Sequence, residues 1–222
     1  GDLDAFFLST NIFYTRMSKG LIKICVFLIF CSLVYKIFGC KDDMEQDLLP
    51  SKDNLWVFIL AGQSNMAGRG KIEAQDLVTN KRIFTIDKNN NWIIAREPLH
   101  FYEPNGAGLD CGMSFGSELL KYVPDSVSIA MIPCAVGGSS AFQWLNDEEH
   151  RGVKLLSNFR EKVQLAKEKG TIKGILWHQG ERNANSDDIP VYKEALEMLF
   201  VKFRAITGNP QLPIVLGELG QF

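Results

Sequence analysis

Three nearly unbroken apolar runs, at residues 55–61, 127–132 and 172–177, constrain this chain most. Runs of this kind mark strands buried on both faces, as in a parallel sheet sandwiched between helices. The intervening segments carry the helical period that such a sheet needs. Residues 114–122 read as a short helix stopped by Pro124. Residues 153–169 read as a longer one, with Leu156, Phe159, Val163 and Ala166 on one face and Gly170 as its stop. Asp187 and Asp188 are expected to cap a third helix, with Pro190 in its first turn, a core side of Val191, Ala195, Leu199 and Phe203, and Gly208 at its end. Residues 81–86 and 212–216 add two further strands. The alternation predicts an α/β domain, a three-layer αβα sandwich around a parallel sheet. Residues 79–111 are less regular, with a turn at Asn89–Asn91 and a long glycine-bearing loop over 103–108.

The N-terminal part has a different character. A basic start at residues 17–23 precedes 12 uncharged residues, 24–35. That length suits the core of a signal peptide better than a bilayer span, although a tilted anchor over 21–38 with snorkelling Lys23 and Lys36 is the alternative. Ile37-Phe-Gly-Cys40 resembles a lipobox, with Phe38 a poor match, and Lys41-Asp-Asp43 resembles the acidic export signal of some Gram-negative surface lipoproteins. The expected organisation is upstream sequence or a gene-model artefact at 1–16, a lipoprotein signal peptide at 17–40 with lipidation of Cys40, a tether at 41–54 and the domain at 55–222. Localisation is then periplasmic or cell-surface, with membrane attachment by the lipid only. The formal charge of −2 leaves no basic patch for nucleic acid. Cys111 and Cys134 either pair in an oxidising compartment or sit as separate small residues.

Each of the three buried runs ends in a polar, glycine-rich cluster. These are Gly62-Gln-Ser64-Asn65, Pro133-Cys-Ala-Val-Gly137-Gly138-Ser-Ser140, and His178-Gln179-Gly180-Glu181. A parallel sheet opens all three on one edge, where α/β proteins bind ligands. Ser64 by itself reads more readily as a turn residue or a helix N-cap than as a nucleophile. It matches neither the Gly-x-Ser-x-Gly elbow, because position 66 is Met, nor a phosphate loop, because Asn65 and Ile72 stand where that loop needs Gly and Ser or Thr. Together, however, the clusters bring a hydroxyl nucleophile, bare backbone N–H groups and a side-chain amide, the parts of an acyl-transfer site.

The order Gly-Gln-Ser-Asn-Met, Pro-Cys-Ala-x-Gly-Gly, His-Gln-Gly-Glu resembles the SGNH hydrolase superfamily. Within it the chain is similar to the sialate O-acetylesterase and acetyl xylan esterase branch, carbohydrate esterase family 6, over residues 55–220. The resemblance implies an SGNH, flavodoxin-like sandwich and a serine esterase that removes O-acetyl groups from carbohydrate, with no metal or organic cofactor. It implies Ser64 as nucleophile and first oxyanion donor, the Gly138 N–H as second donor with Gly137 adjacent, and the Gln179 amide as third. Glu181 would contact substrate or brace the strand end as a structural carboxylate. Trp144 resembles an aromatic near the sugar pocket, with a core role as the alternative. His178 would pack beneath the site rather than act as base. The family's base lies in an Asp-x-x-His motif beyond the strand that matches 213–217. This chain reaches Phe222 without one, and none of His100, His150 or His178 has an Asp at that spacing. The expectation is therefore a domain truncated before its last helix, slow as an esterase and poorly soluble in this form. Arg182-Asn183 also departs from the small or acidic residues expected after Gln-Gly-Glu. Two other functions stand beside the esterase: a degenerate carbohydrate-binding lipoprotein, and an SGNH lipase or thioesterase.

Overall fold

The structure is a computed structural model that describes residues 49–220. The expected signal peptide, Cys40 and most of the tether lie outside the described residues. The packed unit begins at Leu49, which rests against the core, and a 3-10 turn at Lys52–Asn54 leads into the sheet. The strands are β1 (Leu55–Gly62), β2 (Ile83–Ile86), β3 (Trp92–Ile94), β4 (Ser128–Pro133), β5 (Glu149–His150), β6 (Val153–Lys154), β7 (Thr171–His178) and β8 (Ile214–Leu216). The helices are α1 (Ser64–Ala67), α2 (Gly112–Leu119), α3 (Ala141–Leu145), α4 (Leu155–Lys169) and α5 (Ile189–Thr207). Six strands form one sheet in the order β3-β2-β4-β1-β7-β8, and β5 pairs with β6 as a separate hairpin.

All neighbours in the large sheet run parallel except β3, which returns antiparallel to β2. That returning strand falls in the irregular segment after Ile86, where the Asn89–Asn91 turn sends the chain back along the same edge.

Alternation along the strands sends side chains to two cores. Val57, Ile59, Ala130, Ile132, Ile175 and Trp177 join one core with the inner sides of α3, α4 and α5. Leu60, Ile129, Met131 and Leu176 join the other with α1 and α2. The apolar runs are continuous because each face needs its own set of partners. The expected core side of α4 is buried throughout. On α5, Ala195, Leu199 and Phe203 are buried, but Val191 in the first turn is exposed. Asp188 occupies the N-cap, but its side chain does not cap the helix; the carboxylate accepts instead from Asn183 and Asn185. Both remaining cysteines are free thiols, Cys134 buried and Cys111 exposed. Among the described residues no helix is long and apolar enough to cross a membrane.

Candidate active site

β1 lies between β4 and β7, so their C-terminal ends meet around its last residues. The loops after them are joined by backbone hydrogen bonds. Gln63 N–H donates to His178 O at 2.9 Å, and Val136 N–H donates to Gly62 O at 3.2 Å. Ser64 is the first residue of α1, which Met66 and Ala67 anchor in the second core. Gln63 holds the N-cap without capping α1 through its side chain. Its Oε1 faces inward instead, accepting from Gln179 Nε2 at 3.1 Å and Arg182 N–H at 3.1 Å. Ser64 is left half-buried at the strand end, and its hydroxyl bonds to no side chain among the described residues.

The loop after β4 is held at several points. Ser139 Oγ donates into Val136 O at 2.8 Å and lies 3.2 Å from Gly62 O. It also accepts from Trp144 Nε1 at 2.8 Å. Ser140 and Gln143 form a reciprocal capping box that starts α3. Gly137 N–H donates to Glu103 Oε2 at 2.6 Å, and a Cβ at Gly137 would fall 2.1 Å from the Arg69 guanidinium, so a side chain there would displace the ends of Arg69 and Glu103. Gly138 has φ +78°, glycine's territory, and no acceptor among the described residues takes its N–H.

The loop after β7 is built differently. Gln179 is buried. Its Nε2 has three acceptors around two hydrogens: Asn183 Oδ1 at 2.7 Å, Gln63 Oε1 at 3.1 Å and Ser139 O at 3.2 Å. Its Oε1 accepts from Tyr192 Oη at 2.9 Å. Glu181 accepts a close hydrogen bond from the Asn65 amide through Oε1, while Oε2 is buried without a partner.

Two charged groups surround this edge. Arg69 and Arg151 both bind Glu103, whose side chain is about one-tenth exposed. Burial pushes the Glu103 carboxyl up. The hydrogen bonds from Arg69 and the Gly137 N–H, with the charges of both arginines, outweigh that and hold it below its ordinary range. Beneath α1 and α2, His100 Nδ1 lies 3.0 Å from Asp110 Oδ2, with both side chains sealed from solvent. Asp110 also accepts from Gly112 N–H at 2.6 Å. Burial, followed by the charge of Asp110, pushes Glu97 up to about 8.

The family model for carbohydrate esterase, sialic acid-specific acetylesterase, matches residues 54–222. The chain belongs to this family. A probable carbohydrate esterase of Arabidopsis thaliana is 29% identical over 194 residues, 79% of this chain and 71% of that protein. The crystal structure of an Arabidopsis thaliana protein superposes with a TM-score of 0.66 at 30% identity, covering 74% of this chain and 73% of that one. NanS shares the fold at a TM-score of 0.59 and 17% identity, over 77% and 69% of the two chains. So does XAC1771, a carbohydrate acetylesterase from Xanthomonas citri, at 0.52 and 19%, over 73% and 40%.

For this acetylesterase-family chain the three expected clusters share one edge, and Trp144 takes the core role that stood as its alternative. Trp144 is fully buried among Trp177 and Phe203, at ring separations of 5.6 and 6.0 Å. It is a core residue, not a sugar-pocket aromatic, because α3 turns that side of itself onto the sheet. The Gln179 amide is bonded among Asn183, Gln63 and Ser139, which ties the loops together. Glu181 bonds the amide of Asn65, the neighbour of Ser64, through one carboxylate oxygen. The ring of His178 lies against Gly217, where a Cβ would come within 2.8 Å of it. The sequence reading gave no role to Glu103, Arg69, Arg151, His150 or the His100–Asp110 pair. The only signal was the Arg151-Gly152 dipeptide, which forms the tight turn of the β5–β6 hairpin with φ of 52° and 77°.

Proposed function

We propose that this protein is a serine esterase that removes O-acetyl groups from carbohydrate. Support comes from the family match over residues 54–222 together with the seat of Ser64 at the junction of β1 and α1, two residues beyond Gly62, whose carbonyl accepts from the loop after β4. Ser64 Oγ attacks the acetyl carbonyl carbon, and the carbonyl oxygen becomes an oxyanion received by the N–H groups of Ser64 and Gly138. The sugar oxygen leaves as an alcohol. Water then attacks the acyl-enzyme, releasing acetate and restoring Ser64. A general base must take the Ser64 proton. His100 is sealed against Asp110, His150 bonds Gly137, and His178 packs on Gly217, so none of them engages Ser64 in the described residues.

The test is Ser64→Ala in the full-length protein. Acetate release should fall by roughly 10³-fold or more with the melting temperature unchanged. A wild-type protein that binds acetylated glycan but releases no acetate would replace this reading with a non-catalytic carbohydrate binder. An ester panel in which long acyl chains outpace acetyl would replace it with a lipase or thioesterase. The same proposal includes export with lipid attachment at Cys40, motivated by Ile37-Phe-Gly-Cys40. Mass spectrometry of membrane-extracted protein should find a lipidated Cys40 as the mature N-terminus; an unmodified Cys40 removes the anchor from the proposal.

A further inference from the structure

The peptide between Gly137 and Gly138 is gripped on its carbonyl side. His150 Nε2 lies 2.9 Å from Gly137 O. A carbonyl oxygen only accepts, so Nε2 carries the hydrogen and donates it. In a trans peptide the C=O and the following N–H point in opposite directions. Fixing Gly137 O against His150 therefore turns the Gly138 N–H away from the hairpin. The other side of Gly137 is fixed as well, since its own N–H is held by Glu103, which Arg69 and Arg151 grip in turn. Without such a hold a Gly-Gly peptide would rotate easily, because neither residue has a Cβ to restrict it.

The hairpin is shaped for this contact. Arg151 sits at φ 52°, a region non-glycine residues seldom adopt. That turn places His150 and Arg151 together over the loop: a Cβ at Gly138 would lie 3.6 Å from His150 Nε2 and 3.8 Å from the Arg151 guanidinium. A strained residue next to a functional loop is a recurrent sign of a positioned site.

We propose that His150 is a positioning residue of the acetylesterase reaction: by hydrogen-bonding Gly137 O it orients the Gly138 N–H toward the oxyanion. The inference rests on the reading of Ser64 as nucleophile and Gly138 as donor. His150 itself touches no reacting atom and transfers no proton. An N–H that drifts from its aim loses transition-state stabilisation without weakening ground-state binding, so kcat falls while KM holds.

The experiment compares His150→Phe and His150→Gln in the full-length protein on a chromogenic acetyl ester. Phe keeps an aromatic ring but has no donor; Gln restores an N–H near the position of Nε2. His150→Phe should lower kcat about tenfold to hundredfold, with KM within about threefold, on the scale of a weakened oxyanion donor. Affinity for methylboronic acid, which forms a tetrahedral anion on the serine, should fall by the same factor. His150→Gln should recover most of both. Melting temperatures check that each variant is folded; should Phe fail to fold, His150→Ala takes its place. If Ser64→Ala retains activity, the nucleophile reading fails and takes this inference with it. If Ser64→Ala is inactive while the donor-free variants keep full kcat and boronate affinity, the esterase reading stands and the role of His150 is overturned. Equal losses in Phe and Gln with raised KM would also overturn it, in favour of general disruption of the loop.

Discussion

The two faces of the sheet are covered in contrasting ways. On one, α3, α4 and α5 enclose an aromatic core in which Phe159 stacks on Phe203 at 4.2 Å and Trp144 and Trp177 pack edge-on to it and to each other. On the other, the short α1 and α2 lie over Met66, Met113 and Met131, with His100, Asp110 and Glu97 buried nearby. The first face holds the loops after β4 and β7, through Trp144 on Ser139 and through Gln179 and Asn183. The second carries Ser64 on α1. The aromatic side thus holds the loops of the site, while Ser64 rides on the side that buries ionisable groups.

The sharpest break of this contrast is Trp144→Ala. It should cost about 4 kcal/mol of stability, from the lost indole and the cavity left behind. If Trp144 belonged to a sugar pocket, KM would rise and stability would barely change. The expected result is the reverse: a large fall in melting temperature by calorimetry, with KM of the remaining folded enzyme little altered. Trp144→Phe should recover most of the stability.

Gln179→Ala is the next step down. It leaves Asn183 Oδ1, Gln63 Oε1 and Ser139 O without their shared donor, at about 2–3 kcal/mol. An oxyanion-donor role would instead remove about 10²–10³ from kcat at unchanged stability. Urea denaturation and kcat measured on the same preparation separate the two; a loss confined to kcat would return Gln179 to the oxyanion hole.

These two residues also show where the sequence stops being readable. Three apolar runs and the helical spacing of Leu156, Phe159, Val163 and Ala166 were enough for the layers and the parallel core, because burial on two faces leaves a pattern in the residues themselves. The meeting of Gly62, Gly137 and Gln179 at one edge followed from topology. The direction of a side chain did not. The amide of Gln179 is aimed by Gln63, 116 positions away, and Glu103 meets Arg151 across 48. Such pairings have no local period. The β5–β6 hairpin was also hidden, since its strands have two residues each and its turn uses Arg151 where Asn or Asp is usual. His150 therefore looked like one more histidine without a partner.

The smallest effect tests the other face. Glu97 titrates at about 8 in the folded protein against 4.5 for an ordinary glutamate, because burial and the neighbouring charge of Asp110 penalise its ionised form, with Asp76 adding to it. Its folded pKa lies above its unfolded one, so the folded state binds the extra proton between those values. The stabilisation is then complete below about 4.5 and is lost as pH rises through about 8. Between pH 7 and 8 the loss should be about 1 kcal/mol. Glu97→Gln mimics the protonated acid and cannot ionise, so that part of the decline should vanish. Melting curves of wild type and variant at pH 6, 7, 8 and 9 make the comparison. The gap in favour of the variant should widen steadily from pH 6 to about pH 8 and level off by pH 9, closing only toward pH 4.5. Parallel curves would mean that Glu97 is ionised in the fold already at neutral pH, and that the second face tolerates two adjacent carboxylates beside His100.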